Sequence, residues 1–220
     1  YELFADGVHA ATGQYIVGIT SIKNEISNGI DFNIKRKDNK NTTSVSAYYN
    51  YFNSYIGLFN SGNIRNVNGI NWDEAIFKSV KASFKGIELE SKQFISDNLS
   101  ATFRSEYVIA KNEDTGSYLP RIAPLKIGVG STYQKERYSL NINLLHAFAQ
   151  NKLSANELKT DAYTNLSLLG TYQLPIKYNV ELFTKANNLL NEDIRDATSY
   201  IKDIAPQGGR SIMFGLRGDF

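Results

Sequence analysis

The sequence has no cysteine, one tryptophan, one methionine, four prolines and two histidines in 220 residues. Without cysteine there is no disulfide framework and no thiolate metal site. The two histidines, His9 and His146, leave little room for His-based catalysis. No G-x-S-x-G, H-E-x-x-H or phosphate-loop motif occurs, so no enzyme activity is expected. Charge of one sign is also lacking. The 24 basic and 22 acidic residues give a formal charge of +2, which does not suit a nucleic-acid surface. No apolar run approaches the roughly 18 residues that a membrane-spanning helix needs, and the mean hydropathy is slightly negative. No signal peptide precedes Tyr1, which is read as the start of a mature form or a fragment.

Tyrosine, present 14 times, and strict alternation are abundant. Ile30, Phe32 and Ile34 alternate with Asp31, Asn33 and Lys35. Leu99, Ala101, Phe103, Tyr107 and Ile109 oppose Ser100, Thr102, Arg104 and Glu106. The same period of two recurs at 125–134, 139–144, 177–182 and 212–220. A period of two marks strands and disfavours helices. About nine strands are expected, near 28–37, 43–52, 76–90, 98–111, 121–134, 138–150, 161–174, 177–187 and 209–220. The phase changes from Val80, Ala82 and Phe84 to Ile87 and Leu89, which predicts a β-bulge at Gly86.

The connections alternate in length. Short ones are expected at 38–42, 135–137 and 175–176, a moderate one at 91–97, and longer ones at 53–75, 112–120, 151–160 and 188–208. Short turns at one end and long loops at the other, with low mean hydropathy, fit an all-β antiparallel transmembrane β-barrel. The short turns then face the periplasm, and residues 1–27 belong largely to another external loop. Nine strands are an odd number, and an open edge in lipid leaves backbone groups unpaired. The nine are therefore expected to be the C-terminal strands of a larger barrel, with residues 1–220 one portion of it.

Two segments carry a family resemblance. Asn187-Asn188-Leu189-Leu190-Asn191, Arg195-Asp196 and Pro206-Gln207-Gly208-Gly209-Arg210, followed by a strand ending in Phe220, resemble the C-terminal signature of TonB-dependent outer-membrane receptors. Residues 1–12, with Glu2-Leu3, Gly7, His9 and Ala11-Thr12, resemble the branch that includes zinc-uptake receptors. Arg121 opening a strand and Gly86-Ile87-Glu88-Leu89 suit the same family. The resemblance implies a barrel of about 22 strands, plugged by an N-terminal domain. It implies a monomer embedded in outer-membrane lipid and energised by the inner-membrane TonB–ExbB–ExbD complex through that plug. The implied cargo is a metal ion or metal chelate, with zinc the leading candidate and no resident cofactor. A siderophore or haem receptor, or a passive porin or adhesin barrel, is the alternative.

His9, Asp6 and Glu2 are the candidate metal ligands, since imidazole and carboxylates suit zinc; His9 as a plain loop residue is the competing reading. His146, on the face of Leu144 and Phe148, is expected at the outer lipid interface. Arg104, Glu106, Lys126, Glu181 and Lys185 are expected on the inner face, pairing across strands. Asp193, Arg195, Asp196, Asp203 and Arg210 make a charged loop, either self-paired or touching substrate. Tyr48, Tyr49, Tyr51, Phe52 and Tyr55 suggest an aromatic girdle.

Overall fold

A computed structural model describes residues 2–219; the expectation that the last strand closes on Phe220 lies outside them. The described residues form one sheet. Strands β3 (Ile26–Asp38), β4 (Asn41–Val67), β5 (Ile70–Phe94), β6 (Leu99–Asn112), β7 (Lys126–Lys135), β8 (Tyr138–Ala147), β9 (Tyr163–Gln173), β10 (Asn179–Asn187) and β11 (Ser211–Asp219) follow one another as antiparallel neighbours. The nine expected strands are these nine. The sheet does not close: β3 pairs only with β4, and β11 only with β10, among the described residues. Two short strands, β1 (Asp6–His9) and β2 (Gln14–Val17), form a hairpin. Its β2 pairs in parallel with residues 73–76 of β5, beyond the point where β6 stops pairing at Ala82↔Asn112.

Alternation sorts the two faces. Side chains on the outer face stay exposed although apolar: Phe32 is 60% and Phe214 75% exposed. On the inner face directly opposed charged residues pair. Arg104 lies 3.5 Å from Glu90, Lys126 3.6 Å from Glu106 and Arg217 2.8 Å from Glu181. This is the arrangement lipid demands, since a charge facing hydrocarbon is costly and one facing a watery lumen is not.

The short connections are 39–40, 95–98, 136–137 and 174–178, and the long ones 113–125, 148–162 and 188–210. Three expectations fail. Residues 53–75 are not a loop. β4 and β5 run on as a two-stranded projection that turns at Asn68-Gly69, both with positive φ (51° and 82°), as a tight primed hairpin turn requires. The strand expected from residue 121 also starts later, at Lys126. Pro124 has no N–H to give a ladder, and Arg121 sits in the left-handed region at φ 59°.

The predicted bulge at Gly86 is likewise absent, because Gly86 pairs in register with Tyr48 and Val108. The bulges lie on the partner strand. Asn53 and Ser54 face Lys81 alone, and Ser61-Gly62-Asn63 face Glu74 alone. The phase change in β5 has a different cause. Ile87 and Leu89 project outward with the other lipid-side residues. Val80, Ala82 and Phe84 project inward and pack with Ala110, Leu119 and Ile122 beneath the 113–125 connection. Gly86 is small because the Tyr48 ring covers it: an added Cβ would stand 2.3 Å from ring carbons. Gly215 lies under Phe183 in the same way.

Candidate functional site

The long-loop end is a packed roof. Phe52, Tyr55 and Phe84 meet ring to ring at 5.3–5.5 Å on the inner face. The expected aromatic girdle is thus divided: Tyr49 is outward and exposed, whereas Phe52 and Tyr55 belong to the roof. The Asn53-Ser54 bulge makes this possible, because it puts both Phe52 and Tyr55 on the face of Val80 and Ala82.

Arg121 anchors the roof. Its guanidinium donates to the Leu58 carbonyl oxygen at 2.6 Å and lies 4.3 Å above the Tyr200 ring. Its backbone N–H donates to Glu157 Oε1 at 2.9 Å. These contacts hold a left-handed backbone that an arginine otherwise adopts reluctantly. Glu157 also meets Lys202, whose ammonium donates to the Leu158 carbonyl at 2.5 Å and to Thr160 Oγ1 at 2.9 Å, with Glu157 Oε1 at 3.6 Å. The Lys202 and Glu157 side chains are 4% and 7% exposed. Arg195 closes the circuit, donating to the Lys202 carbonyl at 2.6 Å. One polar chain therefore joins the β4–β5 projection to all three long connections.

The charged loop of the sequence reading is largely self-paired. Arg195 lies 3.2 Å from Asp193. Burial raises the Asp196 pKa, but donation from the Thr198 N–H (3.0 Å) and hydroxyl (2.9 Å), with Lys126 3.9 Å away, brings it below the ordinary value. Asp203 and Arg210 are exposed. The two signature segments touch: Asn188 Nδ2 donates to the Glu192 and Gly208 carbonyls at 2.9 and 3.3 Å, and the Arg210 N–H donates to Asn191 Oδ1 at 3.1 Å. Their asparagines and glycines fold a loop. Lys202 and Glu157 were missed by sequence reading; nothing local marks either, since each acquires its meaning from a partner 45 positions away.

The proposed metal ligands are placed as follows. Asp6 and His9 lie in β1, three residues apart, so they project to opposite faces. The Tyr15 hydroxyl donates to Asp6 Oδ1 at 2.6 Å. Thr12 Oγ1 stands 3.3 Å from His9 Nδ1 and donates to the His9 carbonyl at 3.1 Å. Glu2 is exposed, and its carbonyl accepts the Ile19 N–H at 3.1 Å. Glu2, Asp6 and His9 are not gathered: among the described residues no three His, Asp or Glu side chains cluster to hold a metal ion. His146 is on the outward face near the end of β8, with Nδ1 2.9 Å from Thr164 Oγ1 and its ring against Phe148 at 4.7 Å.

At the roof's tip, the Glu74 side chain is 2% exposed. Its carboxylate accepts from the Arg65 guanidinium, from Asn63 Nδ2 at 3.0 Å and from the Ser61 hydroxyl at 2.8 Å. These donors hold its pKa down at about 2 and fasten the second bulge. The Tyr15 pKa is raised, chiefly by its hydrogen bond to Asp6.

Comparisons with known proteins agree with this geometry. A family model described as "TonB dependent receptor-like, beta-barrel" matches residues 1–189. The copper transporter OprC is similar in structure, with TM-score 0.78 and 22% identity over 90% of this chain and 32% of that one. A mutant of the ferric enterobactin receptor PfeA from Pseudomonas aeruginosa gives 0.69 and 17% over 92% of this chain and 32% of that one. The siderophore receptor PirA from Acinetobacter baumannii gives 0.67 and 15% over 92% and 33%. The chain spans about a third of the length of these structures. At these identities the likeness establishes the fold. With the family model matching most of the chain, the protein belongs to the TonB-dependent receptor β-barrel family, a family of outer-membrane receptors and transporters.

Proposed function

We propose that this chain is a C-terminal portion of the barrel of a receptor that imports a metal ion or metal chelate, energised through the TonB–ExbB–ExbD complex. The observation that carries this reading is the family match over residues 1–189, on a barrel wall that is polar inside and closed over by interlocked long loops. Such a polar inner face suits contact with a plug. The similar structures are named for copper and for ferric siderophores, which supports metal as the cargo class. Zinc is the first metal to test, because of the stretch around His9. His9 is the first ligand of this chain to test, because its imidazole suits zinc.

The test is uptake by intact cells carrying the full-length receptor. Labelled zinc, labelled copper and a ferric catecholate are each supplied with and without a working TonB complex. Accumulation of at least one that depends on both receptor and TonB is expected. Accumulation that persists without TonB would make the protein a passive pore. The zinc assignment fails separately if His9→Ala leaves zinc-limited growth unchanged.

A further inference from the structure

The tripeptide Asn-Gly-Ile occurs twice, at Asn28-Gly29-Ile30 and at Asn68-Gly69-Ile70. Asparagine is among the chemically labile residues. A following glycine puts no side chain in the way when its backbone nitrogen attacks the asparagine Cγ. The two copies are alike in local sequence, so a difference in their chemistry has to come from the fold.

Asn28-Gly29 lies in the barrel wall. Asn28 is in register with Tyr51 and Gly29 with Asn50, within a β3–β4 ladder that runs from Ser27↔Phe52 to Asp38↔Asn41. The Asn50 side chain fills the space over Gly29. Ring closure at Asn28 therefore needs a wall strand to bend and its ladder to open. Asn68-Gly69 is instead the turn at the tip of the β4–β5 projection, and both residues are exposed. Nothing lies within 4 Å of the place a Cβ on Gly69 would take. Among the described residues the Asn68 side-chain amide has no partner. One clamp restrains the tip. Asn66 Oδ1 accepts the Gly69 N–H at 3.2 Å, and Asn66 Nδ2 donates to Asn71 Oδ1 at 2.7 Å. The Gly69 nitrogen is thus held by a single side chain, and a hairpin tip opens locally far more readily than a strand inside a sheet.

We infer that Asn68 is a site of spontaneous deamidation in the folded protein, that Asn28 is protected from it, and that the Asn66 side chain sets the rate. The Gly69 nitrogen gives its proton to hydroxide and attacks Asn68 Cγ. A Cγ–N bond forms, the Cγ–Nδ2 bond breaks, and Nδ2 leaves as ammonia with a proton from water. Water then opens the cyclic imide at either carbonyl, giving aspartate or isoaspartate. One water is consumed, one ammonia is released, and nothing is oxidised or reduced. The aspartate product adds a negative charge and still tolerates the left-handed backbone of the turn. The isoaspartate product adds a carbon to the backbone between Val67 and Ile70, so that pair loses its register. The tip beyond the Arg65–Glu74 clamp then loosens. None of this depends on what the barrel transports.

The experiment ages the full-length receptor, folded in mild detergent at mildly alkaline pH, beside a sample unfolded in urea. Tryptic peptides 66–78 and 24–35 carry the two sites. Fragment masses locate the exchange of amide for acid, and enzymatic methylation counts isoaspartate. In the folded receptor Asn68 should react at least about tenfold faster than Asn28, because local opening at the tip is the easier event. In urea the two sites should react at similar rates. Asn66→Ala should speed the folded reaction about twofold to tenfold, the equilibrium worth of one hydrogen bond. Asn66→Asp keeps the acceptor for the Gly69 N–H and should stay near the wild-type rate. Folding of each variant is checked by the mobility difference between unheated and boiled samples. Equal rates at Asn28 and Asn68 in the folded receptor would overturn the site. So would an unmodified Asn68 in the folded sample when the urea sample reacts. An unchanged rate in folded Asn66→Ala would overturn the role given to Asn66.

Discussion

The band that faces lipid and the roof above it use the same strands with opposite burial. In β5, Ile87 is 52% exposed while Ala82, five residues away, is fully buried. The backbone ladder runs through both without a break at Gly86. What changes is the surroundings: lipid covers the outward residues below, and the Leu119 connection covers the inward residues above. A phase change in hydrophobic alternation therefore need not be a bulge. It also marks the place where a strand leaves one apolar environment for another on its opposite side.

The largest expected effect falls on the roof. Lys202→Met removes one partner of a nearly buried pair and leaves Glu157 without its cation, which costs about 3–5 kcal/mol in such settings. Protease cleavage within 148–162 and 188–210 should rise sharply while the heat-modifiable barrel core persists. The double change Lys202→Met/Glu157→Leu should recover much of the loss, because no buried charge is left behind. If Lys202→Met instead unfolds band and roof together, the two regions are one cooperative unit and the contrast drawn here fails.

The band should break by the reverse rule. Ile142, on the outward face of β8, is 39% exposed, yet Ile142→Arg should cost about 2–4 kcal/mol by putting a charge in lipid. Its neighbour Asn143 projects inward, so Asn143→Arg should leave assembly nearly unchanged. The yield of folded barrel in outer-membrane fractions decides between them, and equal yields would reverse the facing of β8.

Smaller effects are expected at the covered glycines. Gly86→Ala and Gly215→Ala each force a Cβ to 2.3 Å from an aromatic ring, an overpacking of about 1–3 kcal/mol. Gly128→Ala is the control, because its Cβ would come no closer than 3.7 Å to any neighbour. Gly128 and Gly130 look alike in sequence, but only Gly130 is crowded, with Thr102 Oγ1 at 2.5 Å. Urea midpoints of the folded barrels should rank the variants in that order.

These residues also show what the sequence could reveal. The nine strands were legible because lipid on one side and polar wall on the other impose a clean period of two. The β4–β5 projection was not, since its apolar residues serve both faces and two bulges interrupt the period. Asn68-Gly69 was its one local signal. Arg121 drew notice only through family resemblance, and the strand reading had put it at the start of a strand that begins later, at Lys126. Pairs such as Glu157 and Lys202, and the parallel seat of β2 on β5, are made by the chain's return from far away and leave no local pattern. The candidate ligands Glu2, Asp6 and His9 are not gathered, for an elementary reason: three residues along a strand is an odd step, which turns Asp6 and His9 apart.

The smallest expected effect is at the roof's tip, and its sign follows from Glu74. The folded pKa, about 2, lies below the ordinary 4.5 because Arg65, Asn63 and Ser61 donate to the ionised form. The opened hairpin therefore takes up a proton before the folded one does. Glu74 contributes its full stabilisation above about pH 4.5, and the contribution declines as pH falls towards 2. Arg65 is 56% exposed, so solvent screens part of the attraction and the effect is modest. Hydrogen exchange of the 61–74 amides should be flat from neutral pH to about 4.5, once corrected for the intrinsic pH dependence, and should accelerate below it. Glu74→Gln should exchange faster at neutral pH and lose the acid step, while amides in β8 show neither change. An acid step surviving in Glu74→Gln would move the titrating group elsewhere, with Asp6, the acceptor of the Tyr15 hydroxyl on the adjoining hairpin, the next to substitute.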